Sequence, residues 1–210
     1  MKQYPSISAG VIYGLPVYVF DKLDGSNIRC EWSRKRKKFT KFGSRHVLIG
    51  EDQPFLGKSI ALIKEKYEES LTEIFMKKTE YPEVTCFFEY YSPNSFAGFH
   101  APDDADNHTV TLIDANVYKK GFMFPNEFVK LFATVETAPL LHVGNITVDI
   151  EEQIRSSTFL GVTFEGVICK AATAIKRGYP PTTFKIKSRA WREKLKEFCK
   201  GDTTLENQLL

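Results

Sequence analysis

No stretch of this chain approaches the roughly 18 consecutive apolar residues of a membrane helix, which excludes a helical membrane protein. No apolar core follows Lys2, so no secretory leader is expected and the cytoplasm is the expected compartment. Cysteine is sparse. The four residues Cys30, Cys86, Cys169 and Cys199 lack C-x-x-C spacing. Three of them fall in strand-like runs, so buried reduced thiols are expected rather than a metal or redox site. His46, His100, His108 and His142 show no ligand spacing and suggest no role. Charge of one sign is also lacking: 29 Lys and Arg stand against 26 Asp and Glu. That balance excludes a polycation but permits a local basic patch. No repeat, low-complexity segment or long linker divides the chain, so one domain over 1–210 is expected.

What is present reads as strands interrupted by a few helices. Val17 to Phe20 and Asn27 to Trp32 read as strands on either side of an Asp24-Gly25 turn. The run Arg34-Lys35-Arg36-Lys37-Lys38 before Phe39 to Phe42 reads as a hairpin with a charged tip. That tip is either solvated or, with Trp32 and Phe39 nearby, an RNA-backbone platform. Ile60, Ile63, Tyr67, Leu71, Ile74 and Phe75 recur mostly at spacings of three and four, which predicts a helix over Lys58 to Lys78. Val84 to Tyr91 is nearly all apolar and suits a central strand. Ser92 to His108 is polar and reads as a loop. Its Asp103, Asp104 and Asp106 lack EF-hand spacing and read as solvated. A strand over Thr109 to Asp114 follows, then helices over Pro125 to Val135 and Asp149 to Ser157. Val162 to Lys170 and Thr182 to Lys187 read as strands. Ser188 caps a last helix that buries Trp191, Leu195, Phe198 and Cys199 and ends at Gly201. The tail from Asp202 is expected to be loosely held.

Within that pattern, Lys22 closes an apolar strand just before Asp24-Gly25-Ser26. Lysine attacks as the neutral amine, which burial or nearby cations supply by depressing its pKa. Lys185 and Lys187 lie two apart on a strand and so share a face. Glu89 and Glu165 place carboxylates in strand-like runs, and a buried carboxylate needs a partner. A candidate nucleophilic lysine, two carboxylates and a lysine pair point to phosphate chemistry on a nucleotide.

Five segments, in this order, resemble the motifs of the covalent nucleotidyltransferase superfamily, which holds polynucleotide ligases and mRNA capping enzymes. They are Lys22-Leu23-Asp24-Gly25, Ser44-Arg45, Phe88-Glu89, Glu165-Gly166-Val167-Ile168-Cys169-Lys170 and Lys185-Ile186-Lys187. The RNA ligase branch is the nearest likeness. Ser26-Asn27 follows the glycine, and only 23 residues of the 210 follow Lys187, too few for an OB-fold. The resemblance implies an α+β nucleotidyltransferase domain, ATP-grasp-like, of antiparallel sheets flanked by helices, with a helix and tail over 188–210. It implies ATP-dependent joining of 5′-phosphate and 3′-hydroxyl RNA ends, an RNA-repair chemistry, with AMP carried covalently on Lys22. Lys22, Lys185 and Lys187 would be catalytic. Asp21, Asn27, Arg45, Glu89, Ile113, Glu165 and Val167 would meet the nucleotide with those lysines. Asp24 and Glu165 would hold Mg2+ through water. A monomer is expected, and whether a partner protein assists stays open. A minimal DNA ligase and an inactive nucleotide- or RNA-binding module are the alternatives. Leu112-Ile113-Asp114 departs from the family's aromatic-Asp pair, so Ile113 would replace a stacked ring. Strand alternation would set Lys170 opposite Glu165 unless a bulge at Gly166 brings them together.

Overall fold

In the computed structural model, which describes residues 1–174 and 179–209, two antiparallel sheets carry the chain. The strands are β1 (Pro16–Asp21), β2 (Ser26–Ser33), β3 (Lys38–Gly43), β4 (Glu83–Tyr91), β5 (Thr109–Val117), β6 (Gly121–Phe122), β7 (Leu140–Asn145), β8 (Gly166–Ala171) and β9 (Thr183–Lys187). The helices are α1 (Lys58–Met76), α2 (Pro125–Leu131), α3 (Val148–Arg155), α4 (Arg189–Cys199) and α5 (Thr203–Leu209). One sheet has the order β7-β1-β8-β9 and the other β3-β2-β4-β5-β6. The fold is the expected α+β arrangement of antiparallel sheets with helices outside.

The larger core lies between α1 and the second sheet. The α1 stripe of Ile63, Tyr67, Leu71 and Phe75 packs with Trp32 and Phe88, all essentially inaccessible. Each fully buried side chain of this size contributes roughly 1.5–3 kcal/mol by leaving water. A smaller core joins Val17, Val19, Val167 and Cys169 of the first sheet to Ile154 of α3. All four cysteines are free and buried. Among the described residues no helix is long and apolar enough to cross a membrane.

Several elements differ from the sequence reading. β7 was not expected, because Leu140 to Asn145 lacks alternation: it is an edge strand, half-exposed throughout. β8 starts at Gly166 rather than Val162, since the Gly166 φ of +133° breaks the extended run. The Ser92–His108 segment contains a 3-10 helix, Pro102–Asn107, in which Asp104 is buried and not solvated. The tail forms α5, whose Leu205 and Leu209 pack on a cluster around Trp191 and Leu195. Leu210 lies outside the described residues.

The basic run also divides. The Arg34 side chain is structural: its Nε donates to the Tyr81 carbonyl, and its Nη2 to the carbonyls of Phe75 and Lys78 at the end of α1. It closes the helix C-terminus, where cations are favoured. The tip at Ser33 lies six residues along β2 from Asn27, about 20 Å at ~3.3 Å per residue.

Candidate active site

Where the ends of β1, β2, β8 and β9 converge, a cavity of about 340 Å3 opens, a size suited to a small-molecule ligand. Of the residues expected at a nucleotide or metal, all but Val167 line it. β8 begins at Gly166, so alternation turns Ile168 and Lys170 inward and Val167 into the small outer core. Ile168, and not the expected Val167, therefore lines the cavity.

Glu165 organises one end of the cavity. Its Oε2 accepts from Lys22 Nζ at 2.6 Å and its Oε1 lies 3.0 Å from Lys187 Nζ. Glu165 and Lys187 are nearly inaccessible, while Lys22 keeps about a fifth of its side-chain surface. Lys187 also sits 3.3 Å over the Trp191 ring and donates to the Leu209 carbonyl at 3.3 Å. Gly166 is required beside it, because a Cβ there would lie 2.0 Å from the Ile186 carbonyl oxygen. The Asp24 carboxylate is held rigidly, Oδ1 by the Ala97 N–H and Oδ2 by Trp191 Nε1, both at 2.8 Å.

These contacts set the electrostatics. Burial pulls the Lys22 ammonium downward, but Glu165 and then Glu89 outweigh it, so its pKa stands above the ordinary lysine value. The expectation of a depressed Lys22 is corrected: the attraction of the carboxylates, Glu165 first, exceeds the effect of burial. Burial, and less strongly Lys22, lowers Lys187 to about 8 and lowers Lys185 as well. Burial raises Asp24 to about 6 and Glu89 to about 8, with Glu165 adding to both.

The Glu89 shift carries a stability consequence. Its folded pKa of about 8 exceeds the ~4.3 of an unfolded glutamate, so the folded state binds the extra proton between those values. Stability contributed by the protonated form is present below pH 4 and lost as pH rises towards 8. Glu89→Gln escapes that loss. Its thermal midpoint without nucleotide should exceed the parent's by a margin that grows from pH 5 to pH 8. A margin independent of pH would show that Glu89 titrates normally.

The other end of the cavity is apolar and closed by a polar triplet. Lys170 Nζ donates to the Ile113 carbonyl and to Asp114 Oδ2, each at 2.8 Å, between the rings of Phe20 and Phe128. Tyr4 donates to the same Asp114 oxygen at 3.1 Å and rests against Phe87 and Phe122. Lys170 thus lines the same cavity as Glu165, because Gly166 redirects the chain between them, but it is engaged away from the lysine cluster. Each Asp21 oxygen accepts from Thr163. Asn27 Oδ1 is buried and has no hydrogen-bond partner. Arg45 is exposed at the rim and donates to Ser6 Oγ at 3.1 Å.

Sequence reasoning missed Tyr4, Trp191 and Ile168 as cavity residues. Tyr4 has no periodic neighbours that could have signalled it. Trp191 was legible as buried but not as the donor to Asp24. Among the described residues no cluster of three or more His, Cys, Asp or Glu is arranged to hold a metal directly. Asp24 and Glu165 each commit both oxygens to protein donors, leaving one lone pair per oxygen. That donor set suits hydrogen bonds to metal-bound water, the contact Mg2+ favours.

A lysine bridged by a carboxylate thus lies inside a cleft between antiparallel sheets. Solved structures resemble the chain in fold. An archaeal ATP-dependent RNA ligase superposes with a TM-score of 0.67 at 16% identity, over 95% of this chain and 52% of that one. The Naegleria gruberi RNA ligase, solved as a point mutant with ATP and manganese, gives a TM-score of 0.59 at 16% identity, over 87% of this chain and 52% of that one. Another mutant of it, with AMP and manganese, gives 0.59 at 17% identity. The chain has the fold of these ligases and spans about half their length. No family model and no curated protein matches it.

Proposed function

We propose that the chain is an ATP-dependent RNA ligase that joins 5′-phosphate and 3′-hydroxyl ends through AMP carried on Lys22. The observation that carries the reading is Glu165 bridging Lys22 and Lys187 in a nucleotide-sized cavity of the ligase fold. Lys22 Nζ attacks the α-phosphorus of ATP and pyrophosphate leaves. Glu165 Oε2, at 2.6 Å, is placed to take the proton that the amine must lose. AMP then passes to the RNA 5′-phosphate, and the 3′-hydroxyl displaces it. These are displacements at phosphorus, so positioning and charge neutralisation dominate.

Lys185 and Lys187 neutralise phosphate charge, and Arg45 reaches it from the rim. Asn27 Oδ1, an acceptor without a donor, fits a ribose hydroxyl, with Glu89 opposite it in the β2–β4 register. Ile113 and Ile168 face the base, and Asp21 accepts from the adenine amino group. Asp24 and Glu165 would hold the water shell of a Mg2+ ion, which would supply charge to offset that of the triphosphate. The decisive experiment supplies ATP labelled at the α-phosphate, then all-RNA and all-DNA nicked duplexes. Labelled protein and preferential sealing of the RNA nick are expected. Equal sealing of DNA would change the polymer, and absence of labelled protein would leave only a binding module.

A further inference from the structure

Beside the cavity, a chain of four hydrogen-bonding groups runs inward from Ser26. Ser26 Oγ lies 2.8 Å from His100 Nε2, His100 Nδ1 lies 3.0 Å from His108 Nε2, and His108 Nδ1 lies 2.8 Å from the Asp104 carbonyl oxygen. Ser26 lines the cavity, while His108 is buried and stacked on Tyr90. The Asp104 carboxylate is held by Ser92 and Asn107.

Donor and acceptor roles in this chain are set by its inner end. A carbonyl oxygen only accepts, so His108 Nδ1 carries the proton. Neutral His108 then has a bare Nε2, which is satisfied by a proton on His100 Nδ1, an atom that Ser95 Oγ also approaches at 3.1 Å. Neutral His100 in turn has a bare Nε2, which accepts from Ser26. Burial, with His108 adding to it, lowers His100 to about 4 and keeps it neutral. Adding one proton reverses every bond. Cationic His108 donates on both sides, His100 donates to Ser26, and Ser26 turns to the Gly98 carbonyl at 3.2 Å. Both states satisfy every group, and they differ by one proton delivered at the cavity wall. The Asp104 carboxylate stands next to the cationic form, and the two interact.

We propose that Ser26, His100 and His108 form a proton relay that accepts the proton of the RNA 3′-hydroxyl during sealing, which rests on the ligase reading. Lys22 already has Glu165 as its acceptor. The carboxylates of Asp24 and Glu165 already take one protein donor on every oxygen, and their remaining lone pairs are assigned to metal-bound water, whereas Ser26 Oγ on the cavity wall leads directly to two imidazoles. The hydroxyl proton passes to Ser26 Oγ, the Ser26 proton to His100 Nε2, and the His100 Nδ1 proton to His108 Nε2. The new O–P bond forms as the phosphoanhydride bond breaks and AMP leaves as its anion. Ser26 touches the substrate. His100 and His108 act through it as positioning and proton-storing residues.

The test uses the full chain, RNA already adenylated at its 5′ end, and a 3′-hydroxyl strand. The parent's sealing is measured first, and its absence overturns the ligase reading and the relay with it. His100→Ala and His108→Gln should each lower single-turnover sealing about 10²-fold more than they lower self-adenylation, the lower end of general-base effects. Glutamine holds one bond of the chain but cannot take the proton, so it separates proton uptake from folding. Added imidazole should recover part of the His100→Ala loss and none of the Ser26→Ala loss. Equal losses in both steps, parental sealing by His108→Gln, or no imidazole recovery would overturn the relay and leave the ligase reading intact.

Discussion

Lys22→Ala is expected to abolish the protein–AMP adduct, not merely slow it. The proposed intermediate is a phosphoramidate, and an amine must supply its nitrogen. Three other amines line the cavity, Lys170, Lys185 and Lys187, and Lys187, at about 8, has a larger neutral fraction than Lys22 near neutral pH. Basicity alone would favour it. Geometry does not: Lys187 is held by Glu165, the Leu209 carbonyl and the Trp191 ring, and is almost inaccessible. Lys22 keeps exposed surface towards the cavity and is bonded to Glu165. Peptide mapping of the labelled parent should place the adduct on Lys22 alone. An adduct on Lys185 or Lys187, or undiminished labelling of Lys22→Ala, would refute the assignment. The variant should remain folded, because Glu165 keeps its contact with Lys187.

Glu165→Ala is the second large effect, and it strikes activity and stability together. It leaves Lys22 and Lys187 without the carboxylate that both contact. Breaking a buried pair from one side costs roughly 3–5 kcal/mol, because the remaining charge stays desolvated. Self-adenylation should fall below detection, since the proton acceptor and the lysine alignment go together. The stability loss should depend on pH in a defined direction. Glu165 raises both lysines, so without it Lys187 drops further below the ~10.4 of an unfolded lysine and Lys22 loses the main contact that holds it above that value. The folded state then binds fewer protons than the unfolded one, and the deficit shrinks as pH rises from 7 to 10. Urea melts across that range measure it. A deficit constant with pH would mean that the loss is one of packing and not of charge.

Much of the fold was legible because burial imposes periodicity. The α1 stripe, the apolar β4 run and the Ser188 cap each leave a local mark, and each appears where expected. β7 and α5 left none. An edge strand needs no alternation, and α5 has no buried residue to pattern it. Arg34 looked like its four basic neighbours, since only the carbonyls ending α1 distinguish it.

The sequence by itself determined which groups are present and in what order. Lys22 and Glu165 flank the ends of β1 and β8, Glu89 lies within β4, and Lys185 and Lys187 share a face of β9. Tertiary structure alone decided their charge states and partners. Glu165 reaches Lys22 across 143 residues, and that contact, with Glu89 adding to it, holds the lysine above its ordinary pKa where burial would have lowered it. The same holds for His100 and His108, whose spacing carries no signal. They become a chain only because the 92–108 segment folds back on Ser26, 74 residues away. Coulombic and hydrogen-bond energies depend on distances in space, and sequence spacing encodes those only within one helix or strand.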